Sequence, residues 1–260
     1  FWEAPRSIPA ERLSDVGRTL LEKSVPPMPP EAFKRPDRVA DMGADVIRFD
    51  RITGGLDNYR WPVTKDNRSL FWAGLNKGKR SLAVDMATPR GQEVVTRLIC
   101  APGEDRGIFV TNLRVRGWMD YPNLKKHRDD LIMISVMGDR RGGPAVDYTV
   151  NAALGFPAIT GQDGGQGGGQ DGGQGGGQGA GQVVNHALPA WDVAAGLHAA
   201  LAVVSAVRER ERTGRGRRIV LPLDDVALAT AGALGYLAEP QLDGSTRPAV
   251  GNYVYGTFGR

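Results

Sequence analysis

The sequence predicts an α/β protein built on an open, mostly parallel, doubly wound sheet. From residue 43 onward, short apolar segments of strand length alternate with longer segments that show helical spacing. The strand segments mostly lack polar alternation, which is typical of strands that are buried on both faces. A regular alternation of strands and helices favours a parallel sheet that is covered by helices.

The individual elements follow in chain order. Strands are expected at 45–49, 81–84, 107–110, 131–136 and 218–223. Helices are expected at 88–100, 122–128 and 225–239, and a longer one runs from about Val193 to Gly214. Thr88 followed by Pro89 is the pattern of an N-cap residue with proline in the first helical position.

The segment 183–196 places one carboxylate, Asp192, at the start of the long helix. Apolar residues then recur at helical spacing, at Leu197, Leu201 and Val204. This pattern predicts that Asp192 is the N-cap. A carboxylate there faces unpaired N–H groups and the positive end of the helix dipole, so its charged form is favoured. Asp192 is therefore either an ionised nucleophile or only a helix cap, and spacing alone does not decide between them.

Asp147 is a second candidate carboxylate, with Tyr148 and Asn151 as nearby donors. It is interpreted either as a catalytic group or as another N-cap. His186 precedes the Pro189 turn and is expected to support it.

Three basic clusters fall near predicted strand ends, the region where ligands bind in open α/β sheets. Each cluster alone is typical of a solvated surface. Three of them around one sheet would hold several phosphates, because Arg and Lys are natural partners of such groups. The clusters are Arg48 with Arg51, the segment 76–80, and the segment 111–116.

Composition narrows the class of protein. With 260 residues, 41% of them hydrophobic, the chain is long enough for a substantial core. There is no run of 18 apolar residues and no charged-then-apolar leader, so neither a membrane span nor a signal peptide is predicted and a cytoplasmic location is expected. One cysteine, Cys100, and three histidines predict neither a disulfide nor a metal cluster. The net charge of +4 without a nucleic-acid-binding motif favours a small phosphate-bearing ligand over nucleic acid.

The chain divides into three kinds of segment. Residues 1–40 are rich in proline and charge and are expected to form a peripheral arm. Residues 41–260 form the predicted α/β domain. Within it, residues 162–182 are almost pure Gly and Gln and are expected to form a flexible surface insert without a phosphate-loop pattern.

Several segments together resemble the class III CoA-transferase family, the formyl-CoA and carnitine-CoA transferase type. These segments are 43–48, 76–81, 111–114, 130–132, 187–196 and 211–216. The segments 49–56, 70–80, 146–161, 184–192 and 251–260 are more similar still to the branch that moves CoA between the C1 and C4 carboxylates of 2-methylfumaryl-CoA, also called mesaconyl-CoA. The resemblance implies a Rossmann-like large domain, an acyl-CoA and a small dicarboxylate as substrates, and an interlocked homodimer.

The resemblance also implies roles for individual residues. Asp192 matches the family's aspartate that attacks the acyl-CoA thioester, so that catalysis passes through an aspartyl-CoA thioester. Asp147 matches an acidic position lining the acyl pocket, which in the related α-methylacyl-CoA racemases is a catalytic base. CoA enters as part of the substrate, and no prosthetic group is implied. The positions that match CoA contacts are Arg51, Leu75, Asn76, Lys79, Arg80, Asn112 and Arg114.

Two departures from the family pattern leave other functions open. Residues 1–40 lack the strand and glycine-rich turn with which the family begins, and the family's second small domain is not found before Arg260. The alternatives to CoA transfer are a shortened or diverged CoA-binding domain without turnover, and a racemase in which Asp147 is the base.

Overall fold

The computed structural model describes residues 43–160 and 183–244, and the chain forms two compact units that meet in sequence between Met86 and Ala87. The predicted N-terminal arm, the Gly/Gln-rich insert 162–182 and the segment 251–260 all lie outside the described residues.

The first unit contains a two-stranded parallel sheet in which Ile47 is opposite Arg80. Its short helix begins after Ser69, whose side-chain oxygen accepts a hydrogen bond from the Trp72 amide at 3.0 Å. Its elements are β1 (Ile47–Asp50), a 3-10 helix (Leu56–Tyr59), α1 (Leu70–Leu75) and β2 (Arg80–Ala83).

The second unit contains a three-stranded parallel sheet in the order β3, β4, β5. The central strand is buried on both faces, since Ile132, Met133 and Ile134 are fully inaccessible to solvent, which explains its uninterrupted apolar sequence. The strands are β3 (Ile108–Thr111), β4 (Ile132–Met137) and β5 (Arg218–Pro222).

Seven helices are described in the second unit. As predicted, α2 begins after Thr88, whose Oγ1 accepts from the Gly91 amide at 3.1 Å, with proline in the first turn. The helix predicted at 225–239 ends at Ala233 because Gly235 takes a left-handed conformation, with φ of 83°. The helices are α2 (Pro89–Ile99), α3 (Tyr121–Lys125), α4 (Asp147–Ala153), α5 (Phe156–Ile159), α6 (Ala190–Thr213), α7 (Leu223–Ala233) and α8 (Glu239–Asp243).

The parallel α/β class predicted from the sequence is confirmed, with one difference in pairing. Within the described ranges the strands pair in two sheets instead of one. The pattern of apolar segments identifies strands but does not specify which strands pair.

The long helix α6 packs on the sheet through small side chains. Ala199, Val203 and Ala206 form a buried cluster with Ile132 and Ile134 of β4. The apolar residues that marked the helical spacing are exposed: Leu197, Leu201 and Val204 are each at least half accessible. Alanines allow the helix backbone to approach the sheet closely, so small residues predominate on the buried face.

Helix α6 is also long and apolar enough, by length and composition, to cross a membrane. The core helix of an α/β domain meets the same criteria, and α6 contacts β4, β5 and α7. The length and composition of α6 are therefore weak evidence for a membrane span.

The C-terminal end of α6 is fixed by a buried guanidinium. Arg210 is 6% exposed and donates to the carbonyl oxygens of Arg106 at 2.7 Å and Glu104 at 2.8 Å. Beyond the helix, Gly216 lies against the chain at Asp130, and an added Cβ would stand 2.1 Å from the Leu131 carbonyl oxygen. This close approach requires glycine and leads the chain directly into β5.

Candidate active site at the start of the long helix

Asp192 lies in the first turn of α6 with an exposed side chain. The prediction that Asp192 is the N-cap is wrong, because the helix begins at Ala190 and its N-cap is Pro189. The Pro189 carbonyl accepts the first helical hydrogen bond, from the Val193 amide at 3.0 Å. A proline can occupy this position since the N-cap amide hydrogen is not needed by the helix.

The carboxylate that caps α6 comes from another helix. Asp147 Oδ2 accepts from the backbone amides of Trp191 at 2.7 Å and Asp192 at 3.1 Å. Asp147 is 2% exposed, and its Oδ1 is buried without a hydrogen-bond partner among the described residues. These two amides are therefore already occupied and do not serve as oxyanion donors.

The interpretation of Asp147 as an N-cap of its own helix is also wrong. Asp147 is the first residue of α4, and the N-cap is Val146. A cap supplied across 45 residues of sequence leaves no local pattern, so sequence analysis could not find it.

Asn151 is a polar hub one turn after Asp147 on α4. It is fully buried, and its Oδ1 lies 3.0 Å from Trp191 Nε1 and 2.9 Å from His186 Nε2. Its amide nitrogen donates to Asn185 Oδ1. The predicted support of the turn by His186 is observed, because its Nδ1 bonds the Leu188 carbonyl. Sequence analysis named Asn151 only as a nearby donor and missed these contacts.

Aromatic side chains complete the buried side of this region. The rings of Phe156 and Trp191 meet edge to face, with centroids 5.0 Å apart, and Tyr236 lies 6.2 Å from Phe156. Behind Phe156 a small apolar cavity of about 160 Å³ lies between α5 and the end of α7. Trp191 is thus held by its backbone, its indole nitrogen and its ring face, and the residue after it is Asp192.

The third basic cluster follows β3, as predicted. Thr111 Oγ1 accepts from the Leu113 amide at 3.1 Å and shapes the turn that carries Asn112 and Arg114, both exposed. The Arg114 guanidinium lies beside Gly142 in the loop after β4, where an added Cβ would be 3.9 Å from Nη2. Because β3 and β4 are parallel, both loops leave the same edge of the sheet, and the second leads into α4.

In the first unit, the structure joins the first two basic clusters. Arg48 forms a two-point bond with Asp50, at 2.7 and 2.9 Å, and donates to Asn76 Oδ1 at 3.1 Å. The hydrogen bond to Asp50 raises the pKa of Arg48. Asn76 is fixed further by donating to the Trp72 carbonyl at 2.8 Å.

The remaining residues with predicted CoA contacts in this unit differ in their surroundings. Arg80 is paired with Asp45 at 2.6 Å, so its charge is already compensated. Lys79 Nζ donates to the Leu75 carbonyl at 2.9 Å, and the Leu75 side chain is half exposed. Arg51 is exposed immediately after β1.

The cysteine and the two other histidines lie in structural or surface positions. Burial raises the pKa of Cys100, whose thiol points to the Leu124 carbonyl at 3.6 Å. His127 and His198 are both exposed. Across residues 43–160 and 183–244, no three His, Cys, Asp or Glu side chains are grouped as metal ligands.

Comparison with known proteins identifies the class of this fold and site. The model of CoA-transferase family III matches residues 37–258. Among solved structures, a CAIB/BAIF family protein from Brucella suis has the same fold, with a TM-score of 0.65 over 84% of this chain and 56% of that one at 24% identity. The chain therefore belongs to CoA-transferase family III.

Two curated relatives refine this placement. The chain is 52% identical to 2-methylfumaryl-CoA isomerase of Chloroflexus aurantiacus over 223 residues, which cover 85% of this chain and 51% of that protein. It is 30% identical to succinate–glutarate CoA-transferase of Agrobacterium fabrum, over 74% of this chain and 47% of that protein. The chain spans about half the length of the curated relatives it matches.

Proposed function

We propose that this chain carries the nucleophile and the CoA-binding part of an enzyme that moves CoA between the C1 and C4 carboxylates of 2-methylfumaryl-CoA. The observation that carries this proposal is the division of labour between two aspartates. Asp147 is buried and caps α6, whereas Asp192 lies in the first turn of the helix with an exposed side chain. The 52% identity to an enzyme named 2-methylfumaryl-CoA isomerase supports the choice of substrate.

The proposed reaction begins with attack of the Asp192 carboxylate on the thioester carbonyl. This forms a mixed anhydride and releases CoA as its thiolate. The thiolate then attacks the aspartyl carbonyl, giving an aspartyl-CoA thioester and a free dicarboxylate. The other carboxylate of the same molecule attacks this thioester, and the released thiolate attacks the new acyl carbonyl, which regenerates Asp192. No second acid and no net change of protons is required.

The position of Asp192 supports its role as nucleophile. The first turn of a helix favours a negative charge, so the carboxylate is stabilised in its reactive, ionised form. Its backbone amide is fixed by Asp147 at 3.1 Å, which limits movement of the residue. A nucleophile held in place gains rate because less orientation remains to be achieved in the transition state.

The basic clusters supply the CoA contacts in this proposal. Arg114 has no carboxylate partner within the described ranges and stands at the carboxyl edge of the sheet with Asn112. In the first unit, Arg51 is exposed, whereas Arg80 would have to exchange Asp45 for a phosphate. The complete set of proposed contacts is Arg51, Leu75, Asn76, Lys79, Arg80, Asn112 and Arg114.

Further features belong to the same proposal. CoA enters as part of the acyl-CoA substrate, whose acyl group is the small dicarboxylate. The working protein is a homodimer and acts in the cytoplasm, and neither nucleic acid nor a membrane is a partner.

The structure does not favour the racemase alternative. A catalytic base must reach the proton that it removes, but Asp147 is 2% exposed and one of its oxygens already accepts two amide hydrogen bonds. The other alternative, a CoA-binding domain without turnover, is separated from the proposal by experiment.

The test compares wild type with Asp192→Asn and Arg114→Ala, using 2-methylfumaryl-CoA and hydroxylamine. In wild type, hydroxylamine should convert the aspartyl thioester to a hydroxamate on Asp192, detectable by peptide mass spectrometry, and activity should be lost. Asp192→Asn should lower transfer by at least about a thousandfold while CoA affinity stays within about twofold. Arg114→Ala should weaken CoA binding by about tenfold, and less at high salt.

Asp129→Asn is the matched control, since Asp129 is an exposed aspartate before β4. Asp129→Asn should leave the rate of transfer and the CoA affinity unchanged. An unmodified Asp192 in an enzyme that still turns over would refute the proposal. CoA binding without turnover or hydroxamate would instead establish the binding-domain alternative.

A further inference from the structure

The buried side chain of Asn151 connects α4 to the segment that leads into α6. It contacts that segment at three residues, Asn185, His186 and Trp191. Asp147, one turn earlier on the same helix, holds the backbone of Trp191 and Asp192. Residues four apart on a helix share one face, so α4 presents an amide and a carboxylate together to the start of α6.

The orientation of the Asn151 amide follows from its indole partner. Trp191 Nε1 carries a hydrogen and can only donate, so the atom 3.0 Å from it must be the Asn151 carbonyl oxygen. The same oxygen lies 2.9 Å from His186 Nε2. Because that oxygen can only accept, His186 Nε2 must also carry a hydrogen.

The second ring nitrogen of His186 meets another acceptor. Nδ1 is hydrogen-bonded to the backbone carbonyl oxygen of Leu188, which has no hydrogen to give. Nδ1 must therefore also carry a hydrogen when this bond is made. A histidine that donates from both nitrogens is the imidazolium cation.

We infer that Asn151 is a positioning residue, which holds the nucleophile-bearing turn of α6 in place by binding His186 in its doubly protonated form. The inference rests on the proposed function, in which Asp192 is the nucleophile. Asn151 acts through Trp191 and His186 and does not itself meet the substrate. Loss of a proton from His186 breaks either the bond to Asn151 or the bond to Leu188.

The ionisable groups on the two elements that contact His186 agree with a cation. On α4 these are Asp147 and Tyr148, and in the first turn of α6 the group is Asp192. The two acids at this junction are carboxylates, and a histidine cation between their elements adds the opposite charge. The Trp191 ring also lies near the imidazole, with centroids 6.4 Å apart.

The inference is tested first by nitrogen NMR of the histidine rings, which needs no turnover. The chain has three histidines, so the His186 signal is assigned by its loss in His186→Gln. In wild type near pH 7, both His186 nitrogens should show bonded hydrogens. A neutral ring with one bare nitrogen, in protein with native near-ultraviolet circular dichroism, would overturn the inference whether or not the enzyme turns over.

The second arm measures transfer of CoA in Asn151→Leu and Asn151→Asp. Asn151→Leu removes the oxygen that accepts from both the indole and the imidazole. It should lower kcat by about tenfold to a hundredfold, because a small misplacement of the nucleophile is enough for such a loss, while CoA affinity changes by less than about twofold. Asn151→Asp keeps an acceptor for the indole and the imidazolium and should retain kcat within about threefold. It should also extend activity to higher pH, since an added carboxylate stabilises the cation.

The matched control is Asn123→Leu, the same change in α3, whose amide donates to the Gly117 carbonyl at 2.8 Å. It should leave kcat and the His186 signals unchanged. Equal kcat in Asn151→Leu and wild type would refute the positioning role. Failure of the Asp192 trapping experiment with intact NMR signals would refute the proposed chemistry and leave the His186 cation established.

Discussion

Both termini of helix α6 are held by buried polar side chains, but the two termini differ in what these side chains hold in place. At the N-terminal end, Asp147 and Asn151 reach in from α4 and leave Asp192 exposed beside them. At the C-terminal end, Arg210 reaches out from the helix and donates to loop carbonyls. One end fixes the turn that carries the proposed nucleophile, and the other fixes the helix to a neighbouring loop.

The difference lies in which groups are saturated. The Arg210 guanidinium spreads its hydrogens over several backbone oxygens of the loop before β3 and near β4. At the other end, the Asp192 side chain is exposed, and Asp147 Oδ1 is buried without a hydrogen-bond partner among the described residues. An unpaired buried polar atom is costly and calls for an explanation, which is consistent with the candidate site at this end.

The largest expected effect on stability is at the C-terminal end of α6. Arg210→Met should lower the free energy of unfolding by about 3 kcal/mol, because it removes charged hydrogen bonds and leaves partly buried carbonyls unpaired. Urea unfolding followed by circular dichroism measures this change. Arg212→Met, an exposed arginine in the same last turn, is the control and should change stability by less than about 0.5 kcal/mol. Equal losses in the two variants would show that the Arg210 bonds contribute nothing specific.

A smaller effect on stability is expected at the N-terminal end of α6. Asp147→Asn should cost about 1–2 kcal/mol, since an amide oxygen still accepts from the helix amides but the charge at the helix N-terminus is lost. The same variant should lower kcat more than it changes KM, because the hydrogen bond that fixes the Asp192 amide is weakened. A stability loss without any change in kcat would separate the cap from catalysis and weaken the distinction between the two ends.

The sequence predicted the elements of this fold better than their packing. Thr88 and Pro89 marked the start of α2 correctly because capping is decided within one turn of chain. The spacing of the apolar residues in α6 did not indicate its buried face, since most of its buried residues are small, such as Ala199, and large ones such as Leu201 are exposed. Which face is buried depends on the sheet beneath, and periodicity within the helix does not contain that information.

The candidate site shows the same limit. Asp192 was found because an acid between a proline turn and an apolar helix is visible in sequence, although its predicted place as N-cap was three helical positions too early. The capping role of Asp147 and the hub formed by Asn151 depend on contacts made between distant segments. Such contacts follow from topology, so only the fold could bring these residues together.

The smallest predicted effect is a change of stability with pH near the C-terminal end of α6. The hydrogen bond from Arg128 to Asp130, at 2.7 Å, lowers the pKa of Asp130, with the positive charges of Arg128 and Arg210 acting in the same direction. A folded-state pKa below the unfolded value, about 3.9 for aspartate, means that the stabilisation is present above that value. It is lost as pH falls through the lower folded value.

Unfolding free energies of wild type and Asp130→Asn should therefore differ at pH 6 and converge toward pH 3. Asp129→Asn, the exposed neighbour, should show no such convergence. A constant difference across this range would mean that the Asp130 carboxylate acts by shape and not by charge. In that case the C-terminal end of α6 would be held by the contacts of Arg210 with carbonyl oxygens alone. The N-terminal end, which a carboxylate caps, would then differ from it more clearly.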